Sequence, residues 1–441
     1  MANTYLTRTI GTPTLGTKFT YSAWVKRSSL GAVQNIANMW ADSNNLIELR
    51  FDLQDNLSFY AVNSSSYVFD LETTAVFRDT SAWYHIVAKV DTTQSTSSDR
   101  CKLYVNGSEQ TSLSASDYPS QNLTFSANAS GNTHYVGAKG NASAYFDGSM
   151  SHIHFVDGTA YPASTFGETD ATTGEWKINT SPSVTYGTNG FFILKDGNTI
   201  TDQSSNSNDF TLGGGTLTNT EDNPSDVFCT LNPLYNQTGG QGVVLANGNT
   251  RSSYNPDSSR SSFGTIAVGT GKYYFEAKLE SVGTAPVVGV VDLAWPDING
   301  ASGYGYHDNA LNFGYNSSGQ KTSGGVNTSY GDSYTAGDII GVAIDKTNNK
   351  LYFAKNGVWQ NSSDPTSGST GTGSAYNLAS DTLYTSACRM RNGGDWSFNF
   401  GNGYFGTTAI SSEGTNASGI GKFEYDVPEN FTALSTKGLN E

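Results

Sequence analysis

Three acidic residues near the end of the chain have the types and spacing needed to act on glycosidic bonds. Glu424, Asp426 and Glu429 lie in the segment Glu-Tyr-Asp-Val-Pro-Glu, and the first two occupy alternate positions. Alternate residues of a strand share one face, and two carboxyl groups on one face can hydrolyse a glycosidic bond. Pro428 interrupts such a strand. We therefore favour a solvated acidic tail here and predict no catalytic residue.

Histidines offer a second kind of chemistry, the binding of a metal ion. His152 and His154 share one face of a predicted strand, a spacing that suits a metal. The residues of the opposite face are apolar, and His85 and His134 are too far away in sequence to be assigned as a third ligand. We therefore expect His152 and His154 to point outward or to pack beneath a loop, and we predict no metal site.

Aromatic residues mixed with amide and carboxylate groups form a candidate binding surface in the second half of the chain. Flat aromatic faces suit the apolar C–H faces of sugars, and polar neighbours suit their hydroxyl groups. An alternative is that the tyrosines complete a strand and fill the core. The candidate glycan-binding residues are Trp295, Tyr304, Tyr306, His307, Asp308 and Asn309.

A short pattern that occurs twice predicts the elements that must position these residues. Residues 86–91 and 102–105 alternate apolar and polar side chains and lead into Asn106-Gly107, and residues 340–345 and 350–355 lead in the same way into Asn356-Gly357. Alternation predicts half-buried strands, and Asn-Gly supplies the positive φ angles of a tight hairpin turn. The repeated pattern therefore predicts two antiparallel β domains of one kind.

Composition sets the fold class and excludes some partners. Tyr, Phe, Val and Thr favour strands, and no long window has helical apolar spacing, so we predict an all-β protein of 441 residues. A net charge of −15 repels phosphate backbones and anionic lipid, which argues against nucleic acid. No segment is apolar enough to insert in a membrane. Cys101, Cys229 and Cys388 are widely spaced and are predicted to be buried thiols.

Turn-rich segments divide the chain. We predict a first β-sandwich over residues 1–215, a linker over 216–226, a second β-sandwich over 227–410 and a short C-terminal tail over 411–441. No heptad pattern is present, so a coiled-coil shaft is not expected.

Both halves resemble known families. The segments Phe19-Thr-Tyr-Ser-Ala-Trp24, Trp83-Tyr-His-Ile-Val87 and Lys102-Leu-Tyr-Val-Asn-Gly107 resemble the laminin-G-like, concanavalin-A-like lectin fold. The segments Gly271-Lys-Tyr-Tyr-Phe-Glu276 and Lys355-Asn-Gly-Val358 resemble the SPRY domain. These resemblances imply two concanavalin-A-like antiparallel β-sandwiches, of jelly-roll type, in tandem.

The tail is similar to a closing segment that recurs in phage structural proteins. It reads Val427-Pro-Glu-Asn-Phe431-Thr-Ala-Leu434, and part of the first domain looks like such domains from marine bacteriophages. The resemblance implies a virion protein that is made in the host cytoplasm and released by lysis.

Laminin-G-like domains often bind calcium through loop oxygens, so calcium is the one candidate cofactor that the resemblance implies. Turn formation explains the available residues equally well, and none forms a known calcium loop. We predict no cofactor and keep calcium as an alternative without a specific motif. The residues are Asp42, Asn44, Asp52, Asp55 and Asp147.

Together these features predict a non-enzymatic bacteriophage protein on the virion surface, an adhesin of a tail fibre or another appendage that binds host-surface polysaccharide. One alternative is a capsid decoration or head-fibre protein that stabilises the shell. Another is a polysaccharide depolymerase that acts through the acids of the tail. The expected partners are other virion structural proteins, and symmetry in virions favours a homo-oligomer such as a trimer.

Overall fold

The computed structural model describes residues 3–195, 199–235, 242–293 and 312–440. The chain divides into two compact units, Met1–Asn219 and Thr220–Glu441, and this boundary falls inside the predicted linker. The described residues form β-strands and short 3-10 helices and contain no α-helix, which confirms the all-β fold. None of their helices is long and apolar enough to cross a membrane. The 3-10 helices are Ser97–Asp99, Ala163–Thr165, Pro233–Tyr235, Gln360–Ser362, Gly368–Thr370 and Gly438–Asn440.

The first unit is a sandwich of two antiparallel sheets. The larger sheet has the strand order β10-β6-β5-β4-β3-β11-β1-β16, and the smaller one has the order β15-β12-β2-β7-β8-β9, while β13 pairs with β14. The strands are β1 (Tyr5–Thr9), β2 (Lys18–Arg27), β3 (Gln34–Asp42), β4 (Asn45–Phe51), β5 (Asn56–Asn63), β6 (Ser66–Val76), β7 (Tyr84–Asp91), β8 (Cys101–Val105), β9 (Ser108–Glu109), β10 (Leu113–Asp117), β11 (Thr133–Val136), β12 (Gly148–Asp157), β13 (Gly167–Thr169), β14 (Trp176–Ile178), β15 (Phe191–Ile193) and β16 (Thr211–Gly214).

Side-chain alternation builds the core of this sandwich. Leu49 of β4 and Phe59 of β5 project from the larger sheet into the same buried cluster as Ile86 of β7 and Phe155 of β12 from the smaller sheet. Because successive side chains of a strand point to opposite faces, the residues between them project outward. The outward face of the larger sheet carries the candidate site described below.

The second unit is a sandwich of the same class. Its larger sheet has the order β17-β18-β30-β20-β25-β26-β27, with β28 paired to β26 and β33 paired to β20, and its smaller sheet has the order β19-β29-β21-β22-β23-β24, while β31 pairs with β32. The strands are β17 (Val244–Ala246), β18 (Arg251–Tyr254), β19 (Arg260–Val268), β20 (Lys272–Ser281), β21 (Val287–Asp292), β22 (Phe313–Asn316), β23 (Gln320–Ser323), β24 (Val326–Ser329), β25 (Ile339–Asp345), β26 (Lys350–Lys355), β27 (Val358–Trp359), β28 (Tyr376–Asn377), β29 (Tyr384–Met390), β30 (Gly394–Asn399), β31 (Tyr404–Phe405), β32 (Thr408–Ala409) and β33 (Thr432–Ala433).

The repeated sequence pattern forms the same hairpin in both units. Asn106 and Gly107 have φ angles of 47° and 78° between β8 and β9, and Asn356 and Gly357 have 47° and 79° between β26 and β27. These positive angles are the ones that Asn-Gly favours in two-residue hairpin turns. In the first unit the glycine is needed for a second reason, because a Cβ at Gly107 would lie 2.4 Å from the Trp176 ring.

The C-terminal segment keeps Asp426 and Glu429 exposed, as expected, but its apolar residues pack on the second unit and do not form a free tail. Phe423 and Phe431 are buried against Tyr274 and Tyr352, which project from the outward face of the second unit's larger sheet. Residues Thr432–Ala433 add a parallel strand beside β20. The expectation rested on the acidic residues of the segment, but its apolar residues determine its position because burying them removes a large area from water.

Candidate functional site

The six glycan-binding candidates of the second unit fall within residues 294–311. Trp295, Tyr304, Tyr306, His307, Asp308 and Asn309 therefore lie outside the described residues.

The acids of the C-terminal segment are held by local hydrogen bonds. The Ser411 amide donates to Glu424 at 2.6 Å, and the Thr415 amide and hydroxyl donate to Asp426 at 2.7 and 2.8 Å. The bonds from Thr415 hold the pKa of Asp426 below its usual value. Residues 424–429 form no strand, so the shared face that a hydrolytic pair would need is not formed in this described segment.

A buried glutamate anchors the same segment to the sheet. Glu276 of β20 accepts hydrogen bonds from the amides of Glu424 and Tyr425, both at 2.9 Å. The side chains of Asn399 and Tyr274 donate to it at 3.1 and 3.2 Å. Burial raises the pKa of Glu276 to about 7 in spite of these four donors.

This burial predicts a pH dependence for the second unit. A carboxyl whose pKa is raised in the folded state stabilises the fold most below its unfolded pKa, near 4.5, and the contribution is lost as the pH rises through about 7. We expect the free energy of unfolding to fall by about 3 kcal/mol between pH 4.5 and 8 through this group. Hydrogen exchange of peptides from residues 312–440 measures the change. The Glu276→Gln variant, which cannot titrate here, should lose this component, and an unchanged pH profile would contradict the assignment.

His134 and His154 of the first unit are buried among aromatic residues. His154 stacks on Phe192 at 3.9 Å and hydrogen-bonds to the Tyr186 hydroxyl at 2.9 Å, so it packs beneath a loop as the plainer interpretation expected. Burial lowers its pKa well below the usual value. His134 lies in the core, with its ring 4.7 Å from that of Phe155. No group of three or more His, Cys, Asp or Glu among the described residues is arranged to hold a metal.

Two of the acidic residues weighed as calcium ligands, Asp55 and Asp52, pair with arginines. Asp55 accepts from Arg27 at 2.9 Å, from Arg78 at 2.8 Å and from the Gly31 amide at 2.8 Å. Burial alone would raise the pKa of Asp55, but these donors hold it below its usual value. Asp52 pairs with Arg50 at 3.2 Å.

The outward face of the first unit's larger sheet brings polar and aromatic side chains into one row. The residues are directly opposite one another on six neighbouring strands, so their side chains project to the same side. Across β11, β3, β4, β5, β6 and β10 the row is Tyr135, Asn38, Glu48, Tyr60, Asp70 and Asp117.

Aromatic rings flank this row on one side. Tyr67 is 64% exposed, and its ring centre lies 5.3 Å from that of Tyr60. Trp40 packs against the same small cluster, which contains Leu46 and Val62. A Cβ at Gly140 would lie 2.0 Å from the Trp40 ring, so the loop after β11 approaches this tryptophan closely. The face thus offers an exposed ring on a rigid sheet.

Two cations on this face are already ion-paired. Glu48 is completely buried and accepts from the Tyr60 hydroxyl at 2.6 Å, from Arg50 at 3.1 Å and from Lys139 at 3.2 Å. The Arg50 guanidinium also lies 5.0 Å from the centre of the Tyr60 ring. This network fixes the centre of the row, and it leaves Glu48 without a surface from which it could act on a substrate.

The end of the row at β6 and β10 is acidic. Asp70 lies directly opposite Asp117, and Glu72 follows on the same strand face. Burial, together with the charges of Glu72 and Asp117, raises the pKa of Asp70 above its usual value. At the opposite end, an open depression of about 540 Å³ is lined by residues that include Thr7, Thr133 and Tyr135. The row therefore runs from an acidic end to a polar depression.

The alternation of Glu48, Arg50 and Asp52 along one segment is visible in the sequence, but its importance was missed. Nothing local indicates that Tyr60, Asp70 and Asp117 fall in one row with Glu48, because that depends on the pairing of four strands.

Comparison with known families agrees with the two-domain interpretation. Residues 2–164 match the concanavalin A-like lectin/glucanases superfamily, and residues 272–395 match the SPRY domain. Both domains that the sequence resembles are present. A lectin-like domain and a SPRY domain in one chain indicate a binding or adaptor role.

Similarity to individual proteins is confined to short regions. The chain is 32% identical over 99 residues to Ran-binding protein 9 of Danio rerio and to Ran-binding protein 9 of Homo sapiens. That match covers 21% of this chain, 15% of the fish protein and 12% of the human protein. Among solved structures, the SPRY domain of human HERC1 is 18% identical, with 38% of this chain and 96% of that chain covered and a TM-score of 0.29. Stonustoxin is 17% identical, with 39% and 27% covered and a TM-score of 0.30.

Proposed function

We propose that this chain is a non-enzymatic glycan-binding protein and that the outward face of the first unit's larger sheet holds the sugar chain. The single observation that carries the proposal is the exposed ring of Tyr67 on a face where Tyr135, Asp70 and Asp117 keep accessible surface at the two ends of the row, while the central residues Asn38, Glu48 and Tyr60 are buried and support it. Sugars need this combination, because their C–H faces stack on aromatic rings while their hydroxyl groups require hydrogen-bond partners.

The dimensions of the row suit an extended chain rather than a single sugar. Six neighbouring strands spaced about 4.8 Å apart place its two ends about 24 Å from each other. The row runs across the strands, and the depression beside Tyr135 continues it. An oligosaccharide would therefore contact the accessible residues at the ends of the row and the Tyr67 ring, each held by the sheet, and little conformational entropy would be lost on binding.

We further propose that this binding serves a bacteriophage virion, as an adhesin on a tail fibre or another appendage. The Ser-, Thr-, Asn- and Gly-rich composition and the resemblance of residues 427–434 to phage structural proteins support this location. The alternative, a capsid decoration protein, requires many copies on the shell. Antibody labelling of purified particles tests both, since an adhesin would be labelled at the tail and a decoration protein over the capsid. Absence of the chain from particles would refute the proposed location.

Loss of the exposed ring should weaken glycan binding. We expect Tyr67→Ala to reduce the affinity for a host-surface oligosaccharide about two- to tenfold, because stacking on one aromatic ring contributes about 0.5–1.5 kcal/mol. Isothermal titration against oligosaccharides released from host envelopes measures the effect. Val326→Ala removes an equally exposed apolar side chain from the second unit and serves as the control. Equal affinity of Tyr67→Ala and the unmodified chain would show that the ligand binds elsewhere.

A polysaccharide depolymerase is the second candidate, and the raised pKa of Asp70 beside Glu72 is the observation that favours it. A carboxyl that keeps its proton can act as a general acid toward a glycosidic oxygen. The test is the release of reducing ends from host polysaccharide by the unmodified chain and by Asp70→Asn and Glu424→Gln. If the unmodified chain releases reducing ends and Asp70→Asn does not, the face is a catalytic site and the binding proposal is wrong.

A further inference from the structure

We propose that residues 139–143 form a lid over the centre of this face, and that the lid moves aside when a neutral stretch of the sugar chain takes its place. The inference rests on the proposed glycan-binding function and adds the way in which the buried centre of the row becomes accessible. It follows from buried polar groups beside the lid that have no hydrogen-bond partner in the structure.

The lid is the tip of the loop that follows β11. Lys139 and Ser143 form an antiparallel bridge, so the tip closes on itself as a small unit. The Gly140 amide donates to the Asn38 side chain at 2.9 Å. A Cβ at Gly140 would lie 2.0 Å from the Trp40 ring, so the tip rests on this ring. The lid therefore covers an amide and an aromatic ring of the outward face.

The closed lid contains strained backbone and is tied down by an ion pair. Ala142 and Ala144 have φ angles of 53° and 47°, in the left-handed region that residues with a Cβ rarely adopt. Lys139 pairs with Glu48 at 3.2 Å, but its side chain is 26% exposed, and such partly solvated pairs contribute little to stability. Opening the lid would release the backbone strain, which lowers the free-energy cost of uncovering the sheet.

Two neighbouring side chains at the base of the lid have unsatisfied polar atoms. Asn35 of β3 is directly opposite Arg50 of β4, and its backbone amide donates to the carbonyl of Ala144 at 2.9 Å. The Asn35 side chain is fully buried, and neither of its polar atoms has a hydrogen-bond partner. Nε of Arg50 is also buried without a partner. Buried polar atoms rarely lack partners, so this pair of side chains points to a ligand group between β3 and β4.

The charges around this position balance, which indicates a neutral ligand group. Arg50 pairs with Glu48 at 3.1 Å and with Asp52 at 3.2 Å, and Lys139 pairs with Glu48. Two cations therefore face two carboxylates. A carboxylate or an ammonium group of a ligand would find its counter-ion already paired, whereas a hydroxyl group needs none.

A sugar hydroxyl satisfies the unpartnered atoms. It can accept a hydrogen bond from Nε of Arg50 and donate one to the amide oxygen of Asn35. Opening the lid also uncovers the Asn38 amide and the Trp40 ring, which suit another hydroxyl group and an apolar C–H face. These β3 residues follow one another over about 15 Å, so an oligosaccharide rather than a single sugar would use them together.

A steric block of the closed lid tests the inference. In Gly140→Ala the added Cβ cannot coexist with the Trp40 ring, so the lid stays open. The full chain is titrated with neutral tetramers of N-acetylglucosamine and of glucose, and with a uronic acid tetramer. We expect Gly140→Ala to bind a neutral tetramer about three- to tenfold more tightly than the unmodified chain, because the open form no longer has to be populated first. Lys139→Gln removes the tie to Glu48 without adding an atom near the sheet and should raise the affinity in the same direction.

Asn35→Leu separates a ligand contact from a structural role. Loss of the amide should weaken binding of the neutral tetramer about two- to tenfold and raise the unfolding temperature, because a buried amide without partners is replaced by an apolar side chain. Asn128→Leu is the matched control, since Asn128 is 3% exposed, neither of its polar atoms has a partner, and it lies outside β3, β4 and the lid. It should raise the unfolding temperature and leave the affinity unchanged.

Hydrogen exchange reports the movement of the lid directly. Peptides that cover residues 137–146 should exchange faster when the neutral tetramer is bound to the unmodified chain, because the Gly140 amide then leaves Asn38. Unchanged exchange, an affinity that neither Gly140→Ala nor Lys139→Gln raises, or tighter binding of the uronic acid tetramer would overturn the inference while leaving glycan binding intact. Failure of every tetramer and of the oligosaccharides from host envelopes to bind the unmodified chain and Gly140→Ala would instead refute the proposed function.

Discussion

The first unit is expected to unfold in mildly acidic solution, with a midpoint between about pH 4 and 5. His85, His134 and His154 are buried in the neutral form, and protonation of any of them inside the fold is strongly unfavourable. Burial lowers the pKa of both His85 and His134 to about 3, and that of His154 well below its usual value.

The surroundings of His85 show why it stays neutral. The Trp176 indole donates to its Nδ1 at 3.0 Å, so Nδ1 carries no proton, and Nε2 donates to the Ser22 hydroxyl at 2.9 Å. The ring is also stacked on Trp24, with a centroid distance of 4.8 Å. A second proton on this ring would face the Trp176 N–H and would lose that bond. His134 is a different case, because neither of its ring nitrogens has a hydrogen-bond partner in the structure.

The direction and size of the change in the free energy of unfolding with pH follow from the difference in proton binding between the folded and unfolded states. A histidine whose pKa is depressed on folding contributes stability above its unfolded pKa, near 6.5, and this contribution is lost as the pH falls toward about 3. Each group changes the free energy of unfolding by about 1.4 kcal/mol per pH unit in that window, so three groups give about 4 kcal/mol per pH unit. A domain stable by about 6–10 kcal/mol, in the middle of the usual range, would therefore lose its stability roughly 1.5 to 2.5 pH units below 6.5.

Hydrogen exchange with peptide resolution measures this in the full chain. Peptides from residues 3–195 should lose protection as the pH is lowered from 7 to 4, whereas Glu276 acts in the opposite direction in the second unit. The His134→Leu variant is the matched test. In this variant one proton fewer is taken up on unfolding, so the free energy of unfolding should change less steeply with pH. The variant should also stabilise the unit at neutral pH by about 1–3 kcal/mol, because an unpartnered polar ring is replaced by an apolar side chain. A first unit that stays protected at pH 4 would contradict this account.

Removing the carboxylate of Asp55 is expected to destabilise the first unit by about 3–5 kcal/mol. Arg27 is fully buried, and its guanidinium pairs with Asp55 at 2.9 Å and lies 4.3 Å from the centre of the Phe51 ring. In Asp55→Ala the arginine would keep its charge in the interior without a carboxylate, with the Phe77 carbonyl, at 2.7 Å, as its remaining acceptor. The backbone adds to the cost, because Asp55 has a φ of 68°, which aspartate tolerates better than alanine.

The second arginine at this carboxylate provides the control. Arg78 also pairs with Asp55, at 2.8 Å, but its side chain is 55% exposed. Arg78→Ala should therefore cost less than about 1 kcal/mol. Denaturant unfolding followed by fluorescence compares the two variants, and Asp55→Asn isolates the charge from the backbone effect. Similar losses for Asp55→Ala and Arg78→Ala would show that the buried pair is not the source of the stability.

The sequence by itself determined the local parts of this protein. Alternation along residues 86–91 and 340–345 predicted the half-buried strands, and the two Asn-Gly pairs predicted the hairpin turns that both units contain. The two resembled domains are also present. These features depend on neighbours within a few residues, so a pattern in the chain is enough to define them.

Only the tertiary structure decided which side chains meet. Glu424 and Asp426 have the spacing of a catalytic pair, yet Ser411 and Thr415 hold them outside any strand. Conversely, Glu48 and Asp117 are far apart in sequence and share one row, because strand register across the sheet brings them together. Register is a long-range property, set by the packing of each strand's apolar face against the core, and no local pattern encodes it.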